Sequence, residues 1–224
     1  MTDGERLVTL VRGLHDFEFV DDLAMPYNHM GATITDAVLQ AGLRYETVVR
    51  LRVQHVMEAF PEAATTSGFL RLLRERGGEE VVRWTHPEKL GRMEAVAELF
   101  VAEGVETEAD LRRWLCGEPG TGGDAADGAE GDVAAACRAN VAKLAAIRGM
   151  GPKTIDYFKI LCGEKDTAAI DVHVMHFLER AGVKVRDYDR ARQVVAEAAP
   201  LLGVSAARLD HSIWTYMSGA GKTW

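Results

Sequence analysis

Leu144-Ala145-Ala146-Ile147-Arg148-Gly149-Met150-Gly151-Pro152-Lys153-Thr154-Ile155-Asp156-Tyr157-Phe158-Lys159-Ile160-Leu161 is the stretch whose reading decides the fold. Leu144 and Ile147 are spaced as the inward positions of a helix end. Two glycines then flank a single apolar residue, the mark of a tight turn. Pro152 opens a second helix at the position where its missing N–H costs nothing. Ile155, Phe158 and Cys162 form the inward stripe of that helix. Glycine permits positive φ and close backbone approach, so the turn can offer N–H groups to a phosphate, with the positive end of the second helix behind them. Such a grip holds a nucleic-acid backbone without reading bases.

Helical signals dominate outward from this hairpin. Residues 87–103 start after Thr85 at Pro87, place Leu90, Met93, Val96, Ala97 and Phe100 at helical spacing, and stop at Gly104. Thr107-Glu108-Ala109-Asp110 has the form of a capping box ahead of Leu111, Trp114 and Leu115. Asp187 and Ser205 are positioned to cap two further helices, the first stopping near Gly203. Residues 33–41 and 47–60 also read as helices. The segment 117–132 has five acidic and no basic residues and no large apolar side chain, and is expected to be a flexible loop. Strand signals are scarce, so the chain reads as all-α.

At 224 residues the chain can build one domain or two small ones. Apolar residues make up 47% of it, yet no run reaches the ~18 to 20 needed to span a bilayer. The acidic start Met1-Thr2-Asp3-Gly4-Glu5 lacks the features of a signal peptide, so a cytoplasmic, nucleoid-associated location is expected. Cys116, Cys137 and Cys162 are far apart in sequence and odd in number, which predicts isolated structural thiols and argues against a disulfide framework. The net charge of −8 argues against indiscriminate nucleic-acid binding. Between Val133 and Gly163, however, Arg138, Lys143, Arg148, Lys153 and Lys159 face Asp156 alone, a local basic patch.

Two glycine–lysine runs, the hairpin's own and one near the C-terminus, fail as phosphate loops. Gly149-Met150-Gly151-Pro152-Lys153-Thr154 lacks the G-x-x-x-x-G-K-[ST] spacing, and Gly219-Ala220-Gly221-Lys222-Thr223 would need its first glycine at Tyr216. Leu144-x-x-Ile147-x-Gly149-Met150-Gly151-Pro152-Lys153-Thr154, followed by Ile170-Asp171-Val172-His173-Val174, instead resembles the signature of the helix-hairpin-helix (HhH-GPD) DNA glycosylases, relatives of endonuclease III and 8-oxoguanine glycosylase. Asp171 follows Lys153 by 18 residues, the separation of the family members that carry a lysine there. The detailed resemblance covers Leu144 to about Gly182. It implies a two-lobed helical fold with the active-site cleft between the lobes, one of residues 30–163 and the other of 1–29 plus 164–224.

What the resemblance implies chemically suits the residues. Excising a base builds positive charge on the sugar, as in glycoside hydrolysis generally, and a fixed carboxylate stabilises it. Asp171 precedes Val174, Phe177, Leu178 and Ala181, a helical stripe, so it is expected near a helix N-terminus, whose dipole favours an ionised carboxylate. Lys153 opens a helix beside other cations, surroundings that favour a neutral amine. Such an amine can form a Schiff base with the sugar, which implies an associated β-elimination lyase. Arg148, Gly149, Met150, Gly151, Lys153 and Thr154 are the expected DNA contacts. Gln40 is a candidate for filling the gap left by a flipped base, and Asn28, with Tyr27 and His29, for lining the base pocket. The expected partner is double-stranded DNA bearing a damaged or mismatched base, bound by a monomer. No metal or cofactor is expected, because the four cysteines of the iron–sulfur relatives are missing. The competing readings are a monofunctional glycosylase using water, a catalytically silent DNA-binding module, and a metal phosphohydrolase built on His15-Asp16 with His173 or His176.

Overall fold

The computed structural model describes residues 1–21, 25–117 and 127–219, and every regular element among them is helical. In chain order these are α1 (Asp3–Gly13), α2 (Met30–Leu39), α3 (Arg50–Ala59), α4 (Thr66–Val82), α5 (Pro87–Ala102), α6 (Glu108–Cys116), α7 (Asp127–Ala145), α8 (Pro152–Leu161), α9 (Val172–Arg180), α10 (Tyr188–Leu202) and α11 (Ala206–Ser218). A π-helical turn, Tyr45–Val49, leads into α3, and a 3-10 turn, Pro61–Ala64, follows it. The chain divides into two compact units, Met25–Gly163 and Met1–Ala24 with Glu164–Trp224. Among the described residues no helix is long and apolar enough to cross a membrane.

The Met25–Gly163 unit is built around α2, whose ten residues are all buried. Helices α3, α4, α5 and α8 pack against it, so it has no solvent face for a one-sided apolar stripe to mark. It begins at Met30, earlier than the periodicity over 33–41 predicts, because His29 Nδ1 accepts the Ala32 N–H at 3.2 Å. Histidine is not among the residues that ordinarily signal an N-cap. The predicted helix over 47–60 is in fact the π turn running on into α3. Phe100 meets Trp114 and Phe158 edge-on at 5.6 and 5.7 Å, tying α5 to α6 and α8. The Thr107 capping box forms as read, with Thr107 Oγ1 accepting from Asp110 N and Asp110 Oδ2 from Thr107 N.

The loop expected over 117–132 is corrected in part: α7 is already helical from Asp127, so the acidic residues from Asp127 onward belong to a helix. Residues 118–126 lie outside the described part, as do Gly221-Lys222-Thr223. The cysteines also depart from expectation. Cys162, at the end of α8, shares a hydrogen bond with Cys116, at the end of α6, and this bond and burial push its thiol up. Chain separation concealed this pairing, because α6 and α8 pack side by side.

In the second unit, α1 packs on α10 and α9 on α11. Val174, Phe177 and Leu178 join Leu209 and Ile213 in its core. Asp187 and Ser205 cap α10 and α11, accepting from Arg190 N at 2.8 Å and Arg208 N at 3.2 Å, and Gly203 ends α10 in the left-handed conformation.

Candidate functional site

The hairpin is built by α7, α8 and the six residues between them. Ile147 N–H donates to Leu144 O at 3.2 Å and Met150 N–H to Ile147 O at 3.0 Å, closing the turn. Gly149 has φ +88°, and a Cβ there would lie 2.0 Å from Arg92 Nη2. Arg92, on α5, donates from Nε to Arg148 O at 2.9 Å and pairs with Glu88 at 3.1 Å. Glycine is therefore required both for the backbone conformation and for the closeness of this guanidinium. Gly151 is the N-cap of α8 and brings no side-chain acceptor to its first turn. Arg148 and Gly149 are exposed and Lys153 is half-buried. Met150 and Thr154 differ from these neighbours in having buried side chains. Since the Met150 N–H already serves the turn, any phosphate grip falls to the remaining members.

The basic patch contracts onto the hairpin. Lys143 pairs with Glu103 at 2.7 Å and Lys159 with Asp156 at 2.8 Å. In their place the fold brings up Lys89, and beside it Arg92, itself paired with Glu88, from the first turns of α5, more than 50 residues upstream of Lys153. Lys89 Nζ donates to Val38 O at 2.8 Å and Ala41 O at 2.7 Å, closing the C-terminal end of α2. Burial and then the Arg92 charge lower its pKa, and the Lys153 charge adds to this. Lys89, Arg92 and Lys153 thus share one electrostatic neighbourhood. The signal that could have found the first two is their placement at i and i+3, on one helix face.

Sequence reasoning also missed a polar cluster beside Lys153. Asp36, on α2, is fully buried. Its Oδ2 accepts from Tyr27 Oη at 2.7 Å and from Tyr157 Oη at 3.3 Å, and Tyr27 Oη lies 3.4 Å from Tyr45 Oη. Burial pushes the carboxyl up to about 6, while the two phenol bonds and the Lys153 charge oppose the rise. Burial and the Asp36 charge raise all three tyrosines, so they remain protonated donors. Lys153 Nζ stands 4.9 Å from the Tyr157 ring centroid, in cation–π range. The π turn, a feature frequent at functional sites, supplies Tyr45.

Asp171 belongs to the other unit, where it is the N-cap of α9. Its Oδ1 accepts from His173 N at 2.8 Å and Val174 N at 3.0 Å. Gln40 is the C-cap of α2 and half-buried, its Oε1 buried without a hydrogen-bond partner. Asn28 has φ +56° and donates its N–H to Glu108, with its side chain exposed. His29 is a buried cap whose Nε2 lies 3.2 Å from Phe60 O, which accounts for it structurally. Asp16 accepts from Tyr216 Oη at 3.2 Å. Among the described residues no three His, Cys, Asp or Glu side chains converge to hold a metal ion, so the structure gives His15-Asp16, His173 and His176 no shared ligand set.

Residues 19–218 match the family model for a domain of unknown function, DUF8548. The chain belongs to that family. No solved structure matches it.

Proposed function

We propose that this protein is a helix-hairpin-helix DNA glycosylase that removes a damaged or mismatched base from double-stranded DNA, and that Lys153 equips it with a lyase activity at the sugar left behind. The observation that supports this best is the α7–α8 hairpin, with Gly149 exposed in its turn, Lys153 in the first turn of α8, and Lys89 adding charge beside it. The turn and its cations hold backbone phosphate, while the target nucleotide leaves the base stack. The Lys153 nitrogen, as the neutral amine, bonds to C1′ as the bond from C1′ to the base breaks, and the base departs with the bonding pair and takes up the proton that the nitrogen gives up. The Asp171 carboxylate offsets the positive charge that develops on the sugar. Opening of the sugar ring gives an imine, and loss of a C2′ proton then expels the 3′ phosphate. In this reading the protein works as a monomer on chromosomal DNA in the cytoplasm.

One observation favours a second reading, a DNA-binding module without catalysis: Asp171 is occupied as a helix cap, a duty that needs no chemistry. Incubation with lesion-containing and abasic duplexes, with and without borohydride, decides between them. The glycosylase reading predicts base release and a covalent adduct that Lys153→Gln abolishes. The silent module predicts binding with neither.

A further inference from the structure

We propose that Asp36 is a positioning residue for the Lys153 amine: its buried carboxylate, gripped by the hydroxyls of Tyr27 and Tyr157, is the fixed negative charge that holds the Lys153 ammonium over the Tyr157 ring. The value of this to a nucleophilic amine rests on the function proposed above. The charge coupling itself does not.

Four observations carry it. Asp36 is fully buried, yet only Oδ2 is engaged; Oδ1 is buried with no hydrogen-bond partner. A buried carboxylate left half-satisfied is costly, and packing alone would be served better by an apolar side chain. Tyr157 touches both ends of the arrangement, donating its hydroxyl to Asp36 at 3.3 Å while its ring faces Lys153 Nζ at 4.9 Å. Lys153 and Tyr157 are i and i+4 on α8, so amine and ring share one helix face.

The surroundings leave Lys153 as the cation that Asp36 answers. From the segment before α2 comes Tyr27, from the π turn Tyr45 and Glu46, the latter paired with Arg50 of α3 at 2.8 Å, and from α8 Tyr157 and Lys153. Lys89 of α5 is bound to the carbonyls that end α2. Glu108 of α6 is bound to Thr33 and the Asn28 backbone. The two phenols hold the carboxylate in place, and its charge favours the ammonium, opposing the neighbouring cations that favour the neutral amine, so the held group becomes a nucleophile only on giving up its proton. When Asp36 takes up a proton, that attraction is lost.

Reductive methylation of the lysines with 13C-formaldehyde, followed by NMR through a pH titration, reads the coupling in the full chain without DNA. Loss of one signal in Lys153→Arg assigns the resonance. The wild-type Lys153 signal is expected to show a step near pH 6, where Asp36 titrates. In Asp36→Asn the step disappears, and the amine's own midpoint falls by about one unit. Identical titration curves in the two proteins overturn the proposal. If Asp36→Asn does not fold, Tyr27→Phe keeps the ring packing and removes one donor to the ionised form, so the step moves to higher pH; an unmoved step overturns the proposal equally. A Lys153 signal coupled to Asp36 in a protein that yields no borohydride adduct would leave this inference standing and remove only the lyase reading.

Discussion

At the scale of single residues, Asp171 has two duties that substitution can pull apart. As the α9 cap its Oδ1 binds two backbone N–H groups, a role asparagine fills nearly as well. As the proposed counter-charge to a cationic sugar it needs its ionised form, which asparagine lacks. Asp171→Asn is therefore expected to keep stability within a few tenths of a kcal/mol and to lose at least about 100-fold in excision rate. Asp171→Ala should suffer the same kinetic loss and about 1 kcal/mol of stability as well. Urea unfolding alongside single-turnover excision separates the two; an Asp171→Asn enzyme of full activity would reduce Asp171 to a cap. Asp171 was legible because a carboxylate directly before a Val174, Phe177, Leu178 stripe is a helix-start signal. Asp36 was not, because it lies in a run buried on all sides, where the pattern of apolar residues says nothing about which polar side chain has company.

At the scale of elements, the hairpin is where sequence and structure agree most closely, since its signals are local: Gly149 sets the turn and Pro152 starts α8. Arg92 was invisible from that stretch, because α5 is brought to the turn by packing and not by chain proximity. Gly149→Ala tests the joint. A methyl at φ +88° is strained, and it would push the Arg92 guanidinium off the Arg148 carbonyl. A stability loss of about 1 to 2 kcal/mol is expected, with weaker binding to duplex DNA measured by fluorescence anisotropy. Unchanged affinity in the folded variant would detach the turn from DNA binding. The same contrast between local and distant signals explains the cysteines: each reads as a lone thiol along the chain, and only the neighbouring of α6 and α8 brings Cys116 to Cys162.

At the scale of the whole molecule, the cost of Asp36 should appear in stability against pH. Its folded-state pKa of about 6 lies above its ordinary value of 3.8. A group raised in this way favours folding in its protonated form, so its contribution is fully present below about pH 4 and is lost as pH rises through 6. Asp36→Asn removes the titration. The variant should gain on the wild type by an amount that grows between pH 4.5 and 7.5, reaching roughly 2 to 3 kcal/mol at most. Urea unfolding at the two pH values checks it, and a constant difference would contradict the burial cost. A fold that tolerates such a cost beside Lys153 is consistent with a site where stability yields to chemistry.

Borohydride trapping on a panel of lesion-containing and abasic duplexes tests the central claim most directly. The account predicts a protein–DNA adduct formed by the wild type and absent from Lys153→Gln, with the base released. Binding of every duplex with no adduct and no released base would contradict it.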